Sequence, residues 1–257
     1  MMKRAVIATL QPFVADRVYV VRHGLAKGLK RRGGLGFVPQ VGRLSLEETF
    51  LEGLDLAGQT VYDIGGYEGV FTLFFARRVG PSGRVVTFEP NPRNYERIVE
   101  NVRLNGFSTV DVRQVGVGVE PGVATLVFPS DETARGSMVT DIQQQILQER
   151  DVQTIDVLID SLDHQIALGV PEPDFVKIDV EGLELDVLRG MIDVIARRRP
   201  ALYIELHGAD LQRKLENATR VMEFLWSAGY SPRHIESNKE IDRPAAVPPR
   251  GHIYCRG

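Results

Sequence analysis

"VYDIGGYEGVF", residues 61–71, decides the fold. An apolar run ends in Asp63, and Gly65, Gly66 and Gly69 follow within six positions. A strand that runs into a glycine-rich turn and then a helix is a nucleotide-holding arrangement, because glycine lets the backbone come close to the ligand. The same turn also serves as a plain strand-to-helix connection, so the residues around it must say whether a ligand belongs there.

From residue 59 onward, short apolar runs alternate with helical periodicity, the pattern of a parallel α/β sheet. Residues 61–64 predict the first strand and 68–79 the helix after it; 84–89 predict the second strand, ending in Glu89. A helix over 92–105 starts on Pro92, ends against Gly106 and turns Tyr95, Ile98, Val99 and Val102 to one face. Residues 109–115, 175–179 and 201–206 predict further core strands, while 122–129 and 152–158 predict extra strands around a polar loop, 130–150. Helices are expected over 183–199 and from Asp210, a good N-cap, to 228. Segments 232–235 and 253–255 suit a final antiparallel pair. The expectation is a doubly wound, Rossmann-like α/β domain over residues 55–257, preceded by an N-terminal extension, 1–54. In that extension "GLAKGLKRRGGLGF" (24–37) lacks the G-K-[ST] ending of a phosphate loop, and reads as a turn, a hairpin or a lid over the ligand mouth.

Composition narrows the class. Hydrophobic residues make up 43% and charged residues 25% of 257, with a formal net charge of −3, which gives no electrostatic reason to expect nucleic acid. The lone Cys255 forms no intrachain disulfide. The apolar run from Ala5 to Leu10 is shorter than the roughly 7–15 residues of a signal core, and no stretch approaches the ~20 of a membrane span. A cytoplasmic protein without membrane attachment is expected; oligomeric state is not readable.

Nicotinamide, ATP and S-adenosylmethionine all use glycine turns, and three features separate them. Asp63 ends the first strand, where it would repel a diphosphate at the next helix N-terminus but suits the cationic sulfonium and ammonium of S-adenosylmethionine. Glu89, 20 residues after Gly69, is placed to accept both ribose hydroxyls, a feature shared with dinucleotide folds. "FVKIDVEGLELDVLRG" delivers Asp179 and Glu181, with Lys177 beside them, and "YIELHG" delivers Glu205 and His207. Carboxylates gathered beyond the carboxyl ends of the strands favour a cationic cofactor or a metal. Some of them, Glu181 or Glu184 among them, could instead cap helices.

Together, "VYDIGGYEGVFTLFFARRVGPSGRVVTFEPNPRNYERIVENVRLNG", "DFVKIDVEGLELDVLRG" and "RPALYIELH" resemble the FkbM family of S-adenosylmethionine-dependent methyltransferases, through residues 46 to about 208. The resemblance implies a seven-stranded methyltransferase sheet with a C-terminal antiparallel strand pair, and O-methylation of a small-molecule hydroxyl on a sugar or secondary metabolite. It assigns the cofactor loop to Asp63, Gly65, Gly66, Tyr67 and Gly69, the ribose carboxylate to Glu89, and the adenosine end to Pro90 and Asn91, with Asp179 also at the cofactor. Gly66 and Tyr67 depart from the alanine and asparagine common in this loop, which removes an amide from the methionine pocket.

Methyl transfer to oxygen needs alignment, exclusion of water and removal of the hydroxyl proton. Histidine, with an ordinary pKa of about 6.5, is better matched to neutral pH than aspartate at ~3.9. His207 is therefore expected to accept the proton, with Asp179 orienting it or the acceptor and Glu205 beside it. A rival mechanism has Asp179, Glu205 and His207 holding Mg²⁺, which would acidify the hydroxyl. A nicotinamide oxidoreductase and a non-catalytic cofactor-binding scaffold are the alternative functions. A DNA-base amino methyltransferase would carry an Asn/Asp-Pro-Pro-aromatic turn where this chain has Asp179-Val180-Glu181-Gly182.

Overall fold

The computed structural model describes residues 17–33, 44–130, 133, 136–149, 151–243, 246, 248 and 251–256. An antiparallel hairpin, β1 (Val18–Val20) and β2 (Lys30–Arg32), comes first. It is followed by α1 (Leu46–Glu52), whose start is fixed by a capping box between Ser45 and Glu48. The alternating core then begins with β3 (Thr60–Ile64), α2 (Val70–Val79), β4 (Arg84–Phe88), α3 (Pro92–Leu104) and β5 (Val110–Arg113). After it come β6 (Gly116–Val117), β7 (Gly122–Pro129), α4 (Thr140–Ile146), β8 (Val152–Asp160) and α5 (Leu162–Ala167). The alternation resumes with β9 (Phe175–Ile178), α6 (Glu184–Arg189), α7 (Ile192–Arg198), β10 (Ala201–Glu205) and α8 (Leu211–Ser227). It closes with β11 (Arg233–His234), β12 (Lys239–Glu240) and β13 (His252–Cys255).

The main sheet runs β12-β11-β13-β10-β9-β3-β4-β5, parallel from β10 to β5 and antiparallel from β13 outward. Its central strands read as nearly unbroken apolar runs because both faces are covered. Tyr62, Ile64, Val176 and Ile178 pack with Leu188, Val194, Val221 and Leu225 of α6 to α8 on one face. Val61, Val85 and Phe175 pack with Phe74, Phe75 and Leu51 of α1 and α2 on the other, and Leu25 of the N-terminal segment joins that second layer.

Three expectations need correction. The sheet has eight strands among the described residues, not seven, and its antiparallel end has three. Asn238, at φ 56°, makes a tight turn that folds Lys239 and Glu240 back onto β11. Residues 122–129 and 152–158 form the expected extra strands, in a separate three-stranded sheet with β6, but the segment 130–150, expected as a polar loop, contains α4. The helix expected over 183–199 divides at Gly190. A Cβ there would come 2.0 Å from the Gly118 carbonyl oxygen, and the Asp163 carboxylate accepts the N–H groups of Asp193 (2.8 Å) and Val194 (2.9 Å), starting a new helix.

The 24–37 segment is a hairpin in its described part, to Gly33, and it packs on α3 behind the glycine loop; residues 34–37 lie outside the described residues. Residues 1–16 and parts of 130–150 and 236–250 lie outside them too. Among the described residues no helix is long and apolar enough to cross a membrane.

Candidate active site

A cavity of about 200 Å³ opens beyond the carboxyl ends of β3, β4, β9 and β10. Gly65, Tyr67, Glu89, Pro90, Asn91, Asp179, Glu205 and His207, all expected at the site, line it. So do Glu181, expected as a strand-end carboxylate or a helix cap, and Asn94, Leu126 and Met138, which were not assigned a role.

Close packing dictates the glycines. A Cβ on Gly65, at φ +79°, would come 1.9 Å from the Asp179 carbonyl oxygen, so β3 and β9 can meet at the cavity floor only with glycine there. A Cβ on Gly66 would come 2.4 Å from Thr87 Cγ2 and 2.8 Å from Ile98 Cδ1. Gly66 therefore supports the loop from beneath, and Gly69 is the N-cap of α2; both lie behind the cavity wall.

Glu89 is 5% exposed, and protein N–H groups already hold its carboxylate. Oε2 accepts from the Tyr67 N–H at 2.8 Å; Oε1 accepts from the Asn91 N–H at 3.0 Å and from Asn94 Nδ2 at 3.3 Å. Burial pushes its pKa up to about 7, against the pull of those three donors. Tyr67 itself sits at φ 49°, a left-handed conformation that costs a non-glycine residue roughly 1–2 kcal/mol, and its bond to Glu89 helps to hold it there.

Asp63 is not where the sequence reading put it. Fully buried, it lies behind the loop, with Oδ1 3.1 Å from Lys177 Nζ and Oδ2 accepting the Thr72 hydroxyl at 2.6 Å. A carboxylate without solvent needs a counter-charge, and Lys177 supplies it. The Lys177 ammonium also donates to the Gly65 carbonyl (2.8 Å) and stands 3.4 Å from Asp179 Oδ2. Burial works against its charge, but Asp63 and Asp179 outweigh that and hold it protonated. Lys177 thus ties the first strand end, the glycine loop and the fourth strand end together. A lysine inside "FVKID" was the available signal, because an unpaired lysine does not belong in a buried strand.

His207 is the cation of the acidic end. Its Nδ1–H donates to Glu184 Oε1 at 2.9 Å, and Asn217 Nδ2 donates to Glu184 Oε2 at 2.6 Å. Its Nε2 lies 3.5 Å from Glu205 Oε1 and 3.8 Å from both Asp179 Oδ1 and Glu181 Oε1. Burial alone would neutralise the ring. Hydrogen bonds to Glu184 and Glu205, with the fields of Glu181 and Asp179, reverse that and keep it protonated well above the usual histidine value. A protonated imidazole has no lone pair for a substrate proton, so His207 does not suit the role of proton acceptor expected of it.

Glu205 stands between His207 and His252, whose Nε2 is 3.5 Å from Glu205 Oε2. Burial raises its pKa, but the two histidines more than offset this and hold it low, as an anion. Glu181, at φ 49° and with its side chain 32% exposed, has a pKa pushed up to about 7 by burial, opposed by His207 and reinforced by Asp179, Glu205 and Glu184. Asp179, Glu205 and His207 offer donor atoms within 4.8 Å of one another, the spacing a divalent ion would bridge, and in this arrangement the His207 proton already supplies positive charge there.

A doubly wound sheet with an antiparallel end, a glycine loop over its first core strand and an acidic cavity at its carboxyl edge defines the methyltransferase class. The Methyltransferase FkbM domain matches residues 63–232, and the chain belongs to that family. Methyltransferase 1 of Beauveria bassiana (strain ARSEF 2860) is 32% identical over 146 residues, covering 52% of this chain and 58% of the relative. Hexuronic acid methyltransferase AglP of Haloferax volcanii is 28% identical over 138 residues, covering 52% of this chain and 51% of the relative. The chain therefore spans little more than half the length of these curated relatives. Among solved structures, methyltransferase FkbM from Methylobacillus flagellatus KT aligns with a TM-score of 0.49 at 18% identity, covering 79% of this chain and 45% of that one.

Proposed function

We propose that this methyltransferase moves the methyl group of S-adenosylmethionine to a hydroxyl oxygen of a small sugar-like or polyol acceptor. One observation carries the reading: Gly65, Glu89 and the Asp179–Glu181–Glu205–His207 group line a single cavity. Its carboxylates suit a ligand with a sulfonium and an ammonium, and would repel the diphosphate of a dinucleotide. Glu89 with Asn91 would hold the ribose, Pro90 and Met138 the adenine side, and Gly65 with Asp179 the methionine end. The similarity to the hexuronic acid methyltransferase AglP supports a sugar-type acceptor.

S-adenosylmethionine supplies an activated methyl group, so the protein's tasks are alignment and removal of one proton. Its transfer would form the O–C bond as the C–S bond breaks, with the electron pair left on sulfur, and would require the hydroxyl proton to be removed. Asp179 is committed to Lys177, and Glu205 to two histidines. Glu89 and Glu181 are the cavity carboxylates with proton affinities near neutral pH. Glu89 is taken up by three N–H donors, so Glu181 takes the proton. His207, cationic at 3.8 Å, steadies the Glu181 anion beforehand.

The test is a calorimetric titration with S-adenosylhomocysteine, with NAD as the control ligand, run in EDTA and again in Mg²⁺. Binding of S-adenosylhomocysteine but not NAD is the expected result. NAD binding alone would restore the oxidoreductase reading, and binding of neither would favour a scaffold. A strong Mg²⁺ requirement would transfer proton removal to a metal at Asp179, Glu205 and His207.

A further inference from the structure

One buried ion pair joins the N-terminal hairpin to the glycine loop. Arg31, in β2, is 1% exposed; its guanidinium pairs with the Glu68 carboxylate and also donates to the Tyr19 hydroxyl at 3.3 Å. Glu68 belongs to the loop, between Tyr67, whose N–H bonds to Glu89, and Gly69, which begins α2. The Glu68 carbonyl is held as well, accepting from Asn101 Nδ2 at 3.1 Å.

The hairpin is itself fastened to α3. Asn101 accepts the Arg32 N–H at 2.6 Å and donates to the Arg32 carbonyl at 3.0 Å; Asn105 does the same for Lys30, at 2.8 Å and 2.6 Å. The chain then passes directly over the ion pair, since a Cβ on Gly33 would lie 3.1 Å from Glu68 Oε2. A guanidinium shielded from water needs an anion, and Glu68 supplies it in the loop shape that has the preceding residue, Tyr67, lining the cavity. Tyr67, in its left-handed conformation, needs surroundings that over-determine it. Glu89 acts from one side and Arg31, through Glu68, from the other.

We propose that Arg31 and Glu68 are positioning residues that hold the cofactor loop in its binding shape, so that the N-terminal hairpin sets the affinity for S-adenosylmethionine. This rests on the cofactor reading above. The pair acts through the loop backbone, without itself lining the cavity. By linkage, cofactor binding must tighten the hairpin by the same factor that the hairpin tightens binding.

The test titrates the full chain and its Glu68→Gln, Arg31→Met and doubly substituted variants with S-adenosylhomocysteine, well below each variant's Tm. Each single substitution should raise Kd about tenfold, with the double variant no weaker than the singles, because the pair works as a unit. Leu225→Ala, on the buried face of α8 and outside the cavity lining, should lower Tm and leave Kd unchanged. An unchanged Kd in Glu68→Gln would reduce the pair to a structural one and overturn the proposal. Hydrogen exchange on the unsubstituted chain gives a reading that no folding defect obscures. Amides 18–32 should slow when S-adenosylhomocysteine is added; slowing at 65–69 with no change in the hairpin overturns the proposal. A wild-type chain that binds no S-adenosylhomocysteine overturns the cofactor reading, and this inference with it.

Discussion

Glu184, fully buried in the first turn of α6, accepts the Nδ1–H of His207 at 2.9 Å and the amide of Asn217 at 2.6 Å. The charge of His207 at the cavity wall thus depends on an anion that lies behind it. Glu184→Gln keeps an acceptor in place but removes that anion. The His207 pKa should then fall, which NMR titration of the imidazole resonances would show as a shift toward the ordinary ~6.5. Stability should fall by about 2–3 kcal/mol in urea unfolding, the scale of a buried charged hydrogen bond. An unmoved titration would mean that Glu205, Glu181 and Asp179 suffice.

Lys177→Met leaves Asp63 without its cation in a fully buried site. Denaturant unfolding should show a loss of about 3–5 kcal/mol, and Asp63→Asn in the same chain should recover part of it. Additive losses in the double variant would show that the two residues are not coupled.

Glu181→Gln should lower kcat by about 10²–10⁴-fold with little change in the Kd of S-adenosylhomocysteine. With the cofactor saturating, Glu89, also near 7, does not limit binding. The kcat of the unsubstituted chain should then drop as pH falls below about 7, where Glu181 takes up its proton, and that limb should vanish in the variant. An intact acidic limb in Glu181→Gln assigns the base elsewhere.

His252 provides a separate pH signature. Burial opposes its charge, but Glu205, Glu47 and Glu236 overcome this and raise its pKa to about 9, above its ordinary value. A histidine raised on folding contributes stability in full below about pH 6.5, and loses it as pH rises through 9. Tm should therefore decline across that window, and His252→Gln should flatten the decline. His207 adds in the same direction, so the flattening will be partial.

Gly66→Ala should destabilise the chain by about 1–3 kcal/mol, because its methyl group meets Thr87 and Ile98. Thermal unfolding would measure it, and pairing the change with Thr87→Ser, which removes the Cγ2 in the way, should restore part of the loss. This crowding also accounts for glycine here, where related loops commonly carry alanine.

The loop and strand ends were legible because "VYDIGG", "TFEPN" and "FVKIDVEG" each combine an apolar run with a polar stop. The direction of Asp63 was not, since a strand covered on both faces has no polar alternation to reveal which way a side chain points. The break at Gly190 was hidden because a single glycine within a helical pattern is ordinary, and its cause, Asp163, lies 27 residues earlier. His207 looked like a base because its controlling partner, Glu184, lies 23 residues away and reads as a helix-start carboxylate. Spacing shows which residues gather at a sheet edge; the protonation they impose on one another depends on distances that only the folded chain sets.

The attachment of β2 to α3 has an implication for protein engineering. Asn101 and Asn105 bond to main-chain groups of Arg32 and Lys30 and ignore what those residues carry beyond Cα. A grip on the peptide backbone is indifferent to side-chain identity, so positions 30 and 32 can be rewritten broadly while the hairpin stays seated. Position 31 has no such latitude, and a library randomised across 30–32 should return arginine at the centre, flanked by a broad range of residues other than proline, which has no N–H to donate to Asn101 or Asn105.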